Sequence, residues 1–386
     1  MTTSLVVPIL ISHYNMVMTD YSERTLLQIL NQYPIFSNSF GPSLRQRINM
    51  PDWFDNRFIL AIFRGTGWIA EHENFLARAD INGVKNWERI FGDLDGNSPD
   101  YDLKIFDVLA EVRLILWARE NGYRYIEKLL PQNQLTPDFM MRKGQEITLE
   151  EAKHFRARDF LPDFVEDRLK GLRFKTGYLT HFGVFADTTE AYERIRDFLL
   201  KTRKHCESAY KNAIRDELTE EWLKVLDRIL TEDPHHELEI IFNLFVVRRV
   251  EIPCETSVSL FGPHNNEKDA TELMLEKLCG NLMSALKQIK SFIDRNPSGE
   301  CPSRALVFLA GTSSWSEEWN DMWEMPGCGD RNSTEKVIEI RTKASELIRI
   351  PFELIVAKDK EEETNFAGKP ATKKTLEYAP FPWPNQ

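Results

Sequence analysis

The chain has 386 residues, 42% of them hydrophobic and 28% charged, which is enough material for two or three globular cores. Its 24 Phe, 10 Tyr and 9 Trp exclude disorder over most of its length. A formal charge of −11 argues against a surface coated in base that would bind nucleic acid indiscriminately.

Five cysteines (Cys206, Cys254, Cys279, Cys301 and Cys328) are odd in number and widely spaced, with no C-x-x-C. That excludes a disulfide scaffold or a thiolate zinc site and points to the reducing cytoplasm. Residues 5–11 form a short apolar run with no basic residue before it, which reads as a buried strand and not as a signal. No stretch approaches the roughly 20 apolar residues of a membrane span, so no membrane association is expected.

In chain order, 1–92 mixes short apolar runs with aromatic-rich polar stretches and is predicted to be a small α+β region. The turn-rich stretch from Gly92 to Asp100 is a break, with an incomplete likeness to a calcium loop. Helical spacing of Ile105, Val108, Leu109, Val112, Ile115 and Leu116 predicts a helix over 104–119, stopped at Asn121-Gly122. Three strands are expected at 123–130, 137–142 and 146–153. A basic, aromatic stretch follows over 156–175, then helices at 188–215 and 219–230 and a strand over 239–252. A long helix is expected at 269–293 and a buried strand at 304–310. The last 30 residues, charged and then Pro-rich, read as a tail or docking peptide.

Chemistry concentrates in the middle of this series. Glu111 shares a helix face with Val108 and Ile115, where a carboxylate must be paired or bind a metal. Asp138 follows Pro137 at the start of a strand. Glu151 and Lys153, two residues apart, point to one side if their segment is extended. Thr148-Leu149-Glu150-Glu151 is also a capping box, which would start a helix and separate the two side chains. The turn residues Gly144-Gln145 favour the extended reading instead. Two carboxylates and an ammonium on adjacent strands can hold Mg²⁺, orient a water and offset charge on a phosphate. His235-His236 reads as a surface pair.

The order of these pieces resembles the PD-(D/E)xK nuclease superfamily. The likeness is carried by Leu109-Ala110-Glu111-Val112-Arg113, Thr136-Pro137-Asp138-Phe139 and Glu150-Glu151-Ala152-Lys153. Ala285-Leu286-Lys287-Gln288 and Ala305-Leu306-Val307-Phe308-Leu309 look like the closing helix and strand. Glu150 departs from the pattern, which prefers an apolar residue there. The resemblance implies an α/β, restriction-endonuclease-like mixed sheet flanked by helices. Its first half would be 93–155 and its closing unit 268–312, with a largely helical insertion at 156–267 and an extension at 313–386.

It also implies a Mg²⁺-dependent (or Mn²⁺-dependent) hydrolase of nucleic acid, DNA foremost. Asp138, Glu151 and Glu111 would bind metal, Lys153 would activate the nucleophile, and Gln288 would support it. Window 139–215 holds 16 Lys and Arg against 12 Asp and Glu, so it is locally basic. Arg156, Arg158, Arg173 and Lys175 are the expected phosphate contacts. Related enzymes serve restriction, repair and anti-phage defence. The lack of an ATPase or familiar DNA-reading motif suits defence and an activating protein partner, and the resemblance implies a homodimer or higher homo-oligomer, since such cores commonly dimerise to cut two strands. A non-catalytic binding or assembly component is the alternative.

Overall fold

The computed structural model describes residues 23–63, 68–98, 101–131, 135–155, 160–176, 182–185, 207–241, 243–250, 258–261, 267–297, 301–310, 331–366, 369–381 and 383. The apolar run at 5–11 lies outside these residues.

The chain is mixed α/β, built around a six-stranded mixed sheet flanked by helices. Its strands are β1 (Tyr125–Lys128), β2 (Phe139–Lys143), β3 (Glu146–His154) and, in the second half of the chain, Arg304–Ala310, Phe352–Phe366 and Lys369–Pro380. The first two pairings are antiparallel, and Arg304–Ala310 then lies parallel to β3. β3 is therefore interior, and Thr148 to Ala152 are buried without a break, as in a strand covered on both faces. Pairing on both edges outweighs the capping box at Thr148, and the segment is extended. Gly144, at φ 62°, makes the tight turn between β2 and β3.

The predicted first helix is α6 (Tyr101–Glu120), and Gly122, at φ 86°, takes the left-handed position after it. Before it come α1 (Glu23–Leu30), α2 (Pro34–Ile48), α3 (Arg57–Phe63), α4 (Trp68–Ala79) and α5 (Glu88–Gly92). The expected α+β character of 1–92 is not found among the described residues: they are helical apart from a single bridge, Lys85 to Glu127. Nor is this stretch a separate core. Leu26, Phe40, Ile59 and Leu76 join Val108, Val112, Phe139 and Leu306 in one buried cluster. α6 is buried towards the sheet and also towards α4, so Leu114 and Ala118 are as inaccessible as Val112 and Ile115.

The segment expected to be a largely helical insertion contains a second sheet. Its helices are α7 (Phe160–Thr176), α8 (Glu207–Glu217) and α9 (Glu220–Glu232), and its strands are β4 (Phe182–Phe185), β5 (Glu237–Ile240), β6 (Phe245–Arg249) and β7 (Val258–Phe261). The strand order is β5-β6-β4-β7. The strand expected over 239–252 is two strands, because Ile241 and Asn243 adopt positive φ and turn the chain. This lobe has its own core, including Val165, Leu169, Val184, Leu226 and Val247, joined by Phe54. Gly171 permits that joint: a Cβ there would lie 2.0 Å from the Phe54 carbonyl oxygen.

On the other face of the main sheet lie α10 (Glu267–Arg295) and α11 (Arg331–Leu347). β8 (Arg304–Ala310), β9 (Phe352–Phe366) and β10 (Lys369–Pro380) complete the sheet. Residues 357–366 and 369–380 are thus strand and not a tail. Leu354, Ile355, Val356 and Ala357 are buried, and the Phe381 amide donates to Leu354 O at 2.7 Å. The charged run is strand, in backbone register with β10: Glu361 is set against Lys374 and Glu362 against Lys373 along the ladder. Among the described residues no helix is long and apolar enough to cross a membrane.

Phe381 distinguishes the two views of this segment. Phe381→Ala should cost about 3 kcal/mol in denaturant unfolding, the usual range for a buried phenylalanine. A residue of a solvated tail would change stability by less than about 0.5 kcal/mol.

Candidate active site

The candidate residues meet where the β2–β3 ladder ends. Continued in register, the ladder would set Pro137 against Ala152, and Pro137 has no amide hydrogen to give it; the Ala152 amide is taken up by the Asp138 side chain. Asp138 Oδ2 accepts the Ala152 amide at 2.9 Å, while the Asp138 amide donates to Glu151 Oε2 at 3.0 Å. This exchange holds Asp138 and Glu151 against each other from neighbouring strands.

Asp138 Oδ1 accepts from Lys128 Nζ at 2.8 Å, and the same ammonium lies 2.7 Å from Glu111 Oε2 on α6. Lys128 ends β1 two residues after the buried Ile126, so both face α6. Its nitrogen also sits 4.9 Å from the centre of the Phe139 ring. On the other side of Asp138, Lys153 pairs with Glu151 Oε1. The strand period puts Glu151 and Lys153 on the face of Leu149, which packs under α10. Two carboxylate–ammonium pairs therefore flank one aspartate.

Their charges are coupled. Burial first, and then the Asp138 charge, push the Glu111 carboxyl up to about 8 against the pull of Lys128. Burial and Asp138 likewise push Glu151 up to about 8, against Lys153. Burial opposes the charge on Lys128, but Asp138 and Glu111 overcome it and raise its pKa. Burial also opposes Lys153, which Glu151, Asp138 and Asp107 raise.

Of the sequence candidates, the structure brings together Asp138, Glu151, Lys153 and Glu111. Gln288 lies on α10, on the flank of the stripe formed by Leu282, Ala285 and Ile289. Its Oε1 is buried with no hydrogen-bond partner in the structure. Arg156 and Arg158 lie outside the described residues. Lys175 pairs with Glu220 and stands over the Phe54 ring at 4.4 Å. Burial lowers the pKa of Arg173 against the pull of Asp227 on α9. These two side chains thus meet partners within the second lobe and at its joint with Phe54. His235 is exposed on the surface.

Sequence reasoning missed Lys128 and Asp107. The first was detectable as the position two residues after an apolar strand residue. The second lies one helical turn before Glu111.

Among the described residues, no three acidic, histidine or cysteine side chains close into a metal-holding group. The donor chemistry nevertheless fits a hard divalent cation. Asp138 and Glu151 offer carboxylate oxygens side by side, in a site where three carboxylates share two ammonium groups.

Glu150 points to the opposite face. It pairs with Phe139 across the ladder and is fully buried, with neither carboxyl oxygen hydrogen-bonded. Burial, and then Glu353, raise its pKa well above the ordinary range, against Arg304. Comparison of the chain with protein-family models, curated proteins and solved structures finds no match.

Glu150 carries a pH dependence of known sign. Its folded pKa lies above the unfolded one, so its contribution is neutral at low pH. It turns destabilising as the unfolded carboxyl ionises, from about pH 4.5 upward. Glu150→Gln should therefore gain in melting temperature relative to the parent between about pH 5 and pH 8. Parallel melting curves across that range would refute the assignment.

Proposed function

We propose that this chain is a metal-dependent phosphodiesterase acting on nucleic acid, with DNA the first substrate to try. One observation carries the reading. Asp138 exchanges hydrogen bonds with the Glu151–Ala152 segment, and Lys153 stands beside Glu151. The element order supports it: a carboxylate-bearing helix, a hairpin, a third strand with Glu-x-Lys, then a long helix and a parallel strand.

In this reading Asp138 and Glu151 hold a divalent cation, Mg²⁺ or Mn²⁺. The cation, when bound, supplies a polarised phosphate and a more acidic water. Lys153, 23% exposed at its side chain, can reach solvent and orient the nucleophile. It also offsets negative charge that develops on the phosphate oxygens. Gln288, with its buried carbonyl oxygen unbonded, is suited to accept a hydrogen bond from that water. Asp138 aligns the two strands, so its carboxylate serves both the fold and the site. Cutting both strands of a duplex calls for two such sites, which a homodimer would supply.

A second reading has one observation in its favour: each of these carboxylates already pairs with a lysine, as in a structural ion-pair network. An inert core in a binding or assembly component would look the same. Plasmid and RNA cleavage with Mg²⁺ or Mn²⁺, with and without EDTA, separates the two. The enzyme reading expects metal-dependent cutting, reduced about 100-fold or more in Lys153→Ala and Asp138→Asn. Unchanged cutting by Lys153→Ala would remove this site, and no cutting by any form would favour the inert core.

A further inference from the structure

Lys128 is the charged group at this site that the nuclease reading does not itself require. Its position is built from several directions. The backbone amide donates to Lys85 O at 3.0 Å, and its carbonyl accepts Asn86 Nδ2 at 3.1 Å. Its ammonium then spans Glu111 Oε2 and Asp138 Oδ1, at 2.7 and 2.8 Å, over the Phe139 ring. The side chain is 13% exposed, against 23% for Lys153.

A cation bridging two carboxylates is what a second metal ion would provide in a two-ion phosphodiesterase. Resting on the nuclease reading, we propose that Lys128 is a built-in replacement for that second ion. The site then takes a single divalent cation, on the Asp138–Glu151 side. Glu111 is an anchor for Lys128 and not a metal ligand.

The geometry separates the two lysines by task. Lys128 sits at a strand end clamped by the N-terminal region, with two carboxylates and an aromatic face around its nitrogen. An incoming ion would have to expel a buried ammonium and leave it without compensation. Lys153 holds Glu151 from a more exposed position and can turn towards solvent or substrate when an ion takes that carboxylate. This also gives Lys85 and Asn86 a purpose: they fix the β1 end on which the substituted charge depends.

Mn²⁺ binding to the full-length protein tests this without reference to catalysis. Free Mn²⁺ measured by electron paramagnetic resonance, together with calorimetry, gives stoichiometry and affinity. The expected result is one Mn²⁺ per chain, abolished by Asp138→Asn. Glu111→Gln should retain one ion with affinity within about threefold of the parent, since it gives up no metal ligand. Lys128→Met should acquire a second, weaker ion, and Lys128→Met with Glu111→Gln should return to one.

Two ions bound by the parent would overturn the inference and leave the nuclease reading standing. So would a loss of affinity of about tenfold or more in Glu111→Gln, which can be read even if Lys128→Met fails to fold. One ion in a folded Lys128→Met would overturn it as well. No Mn²⁺ bound by the parent would remove the inference and the metal-dependent reading together.

Discussion

The Asp138 carboxylate stands where two strands part, and the rest of the site is arranged around it. Its two oxygens serve different partners: one accepts the Ala152 amide beyond the last ladder pair, the other faces Lys128. Pro137, with no amide hydrogen to donate, cannot complete the pair with Ala152 at which the ladder would continue. A termination rule for β-pairing thus produces a carboxylate fixed at the sheet end. From it, one ammonium reaches α6 through Glu111, and a backbone hydrogen bond reaches Glu151 with Lys153 beside it.

Holding so many charges out of water is expensive unless each is matched. Burial, and then the Asp138 charge, push Glu111 and Glu151 up to about 8 against the pull of their lysines. The surrounding architecture confines them. α6 is covered by the N-terminal helices and shares their core, and α10 with α11 covers the opposite face. Lys85 and Asn86 hold the end of β1. Glu150 shows what happens next door when no partner is supplied: its carboxyl is driven towards the neutral form.

The sequence made the central pieces legible because they follow local rules. The helical period around Glu111, Gly122 as a stop, the Gly144 turn and the alternation of Glu151 with Lys153 all depend on neighbours within a few residues. What it concealed depends on distant partners. The capping box at Thr148 was a valid local signal, overridden by pairing with β8 more than 150 residues away. The charged run near the C-terminus is strand because of backbone pairing with β10 and, earlier in β9, with β8. Lys128 escaped notice because its two carboxylates come from different elements, 17 and 10 residues away in the chain. Lys175 too meets partners distant in the chain, Glu220 and the Phe54 ring, which its basic neighbours do not announce.

The central claim is that Asp138 and Glu151 together form a cation site at the end of the β2–β3 ladder. Anomalous diffraction from crystals grown with Mn²⁺ addresses it directly. The account expects a manganese peak coordinated by oxygens of both carboxylates. Manganese bound elsewhere, with neither carboxylate touching it, would contradict the account.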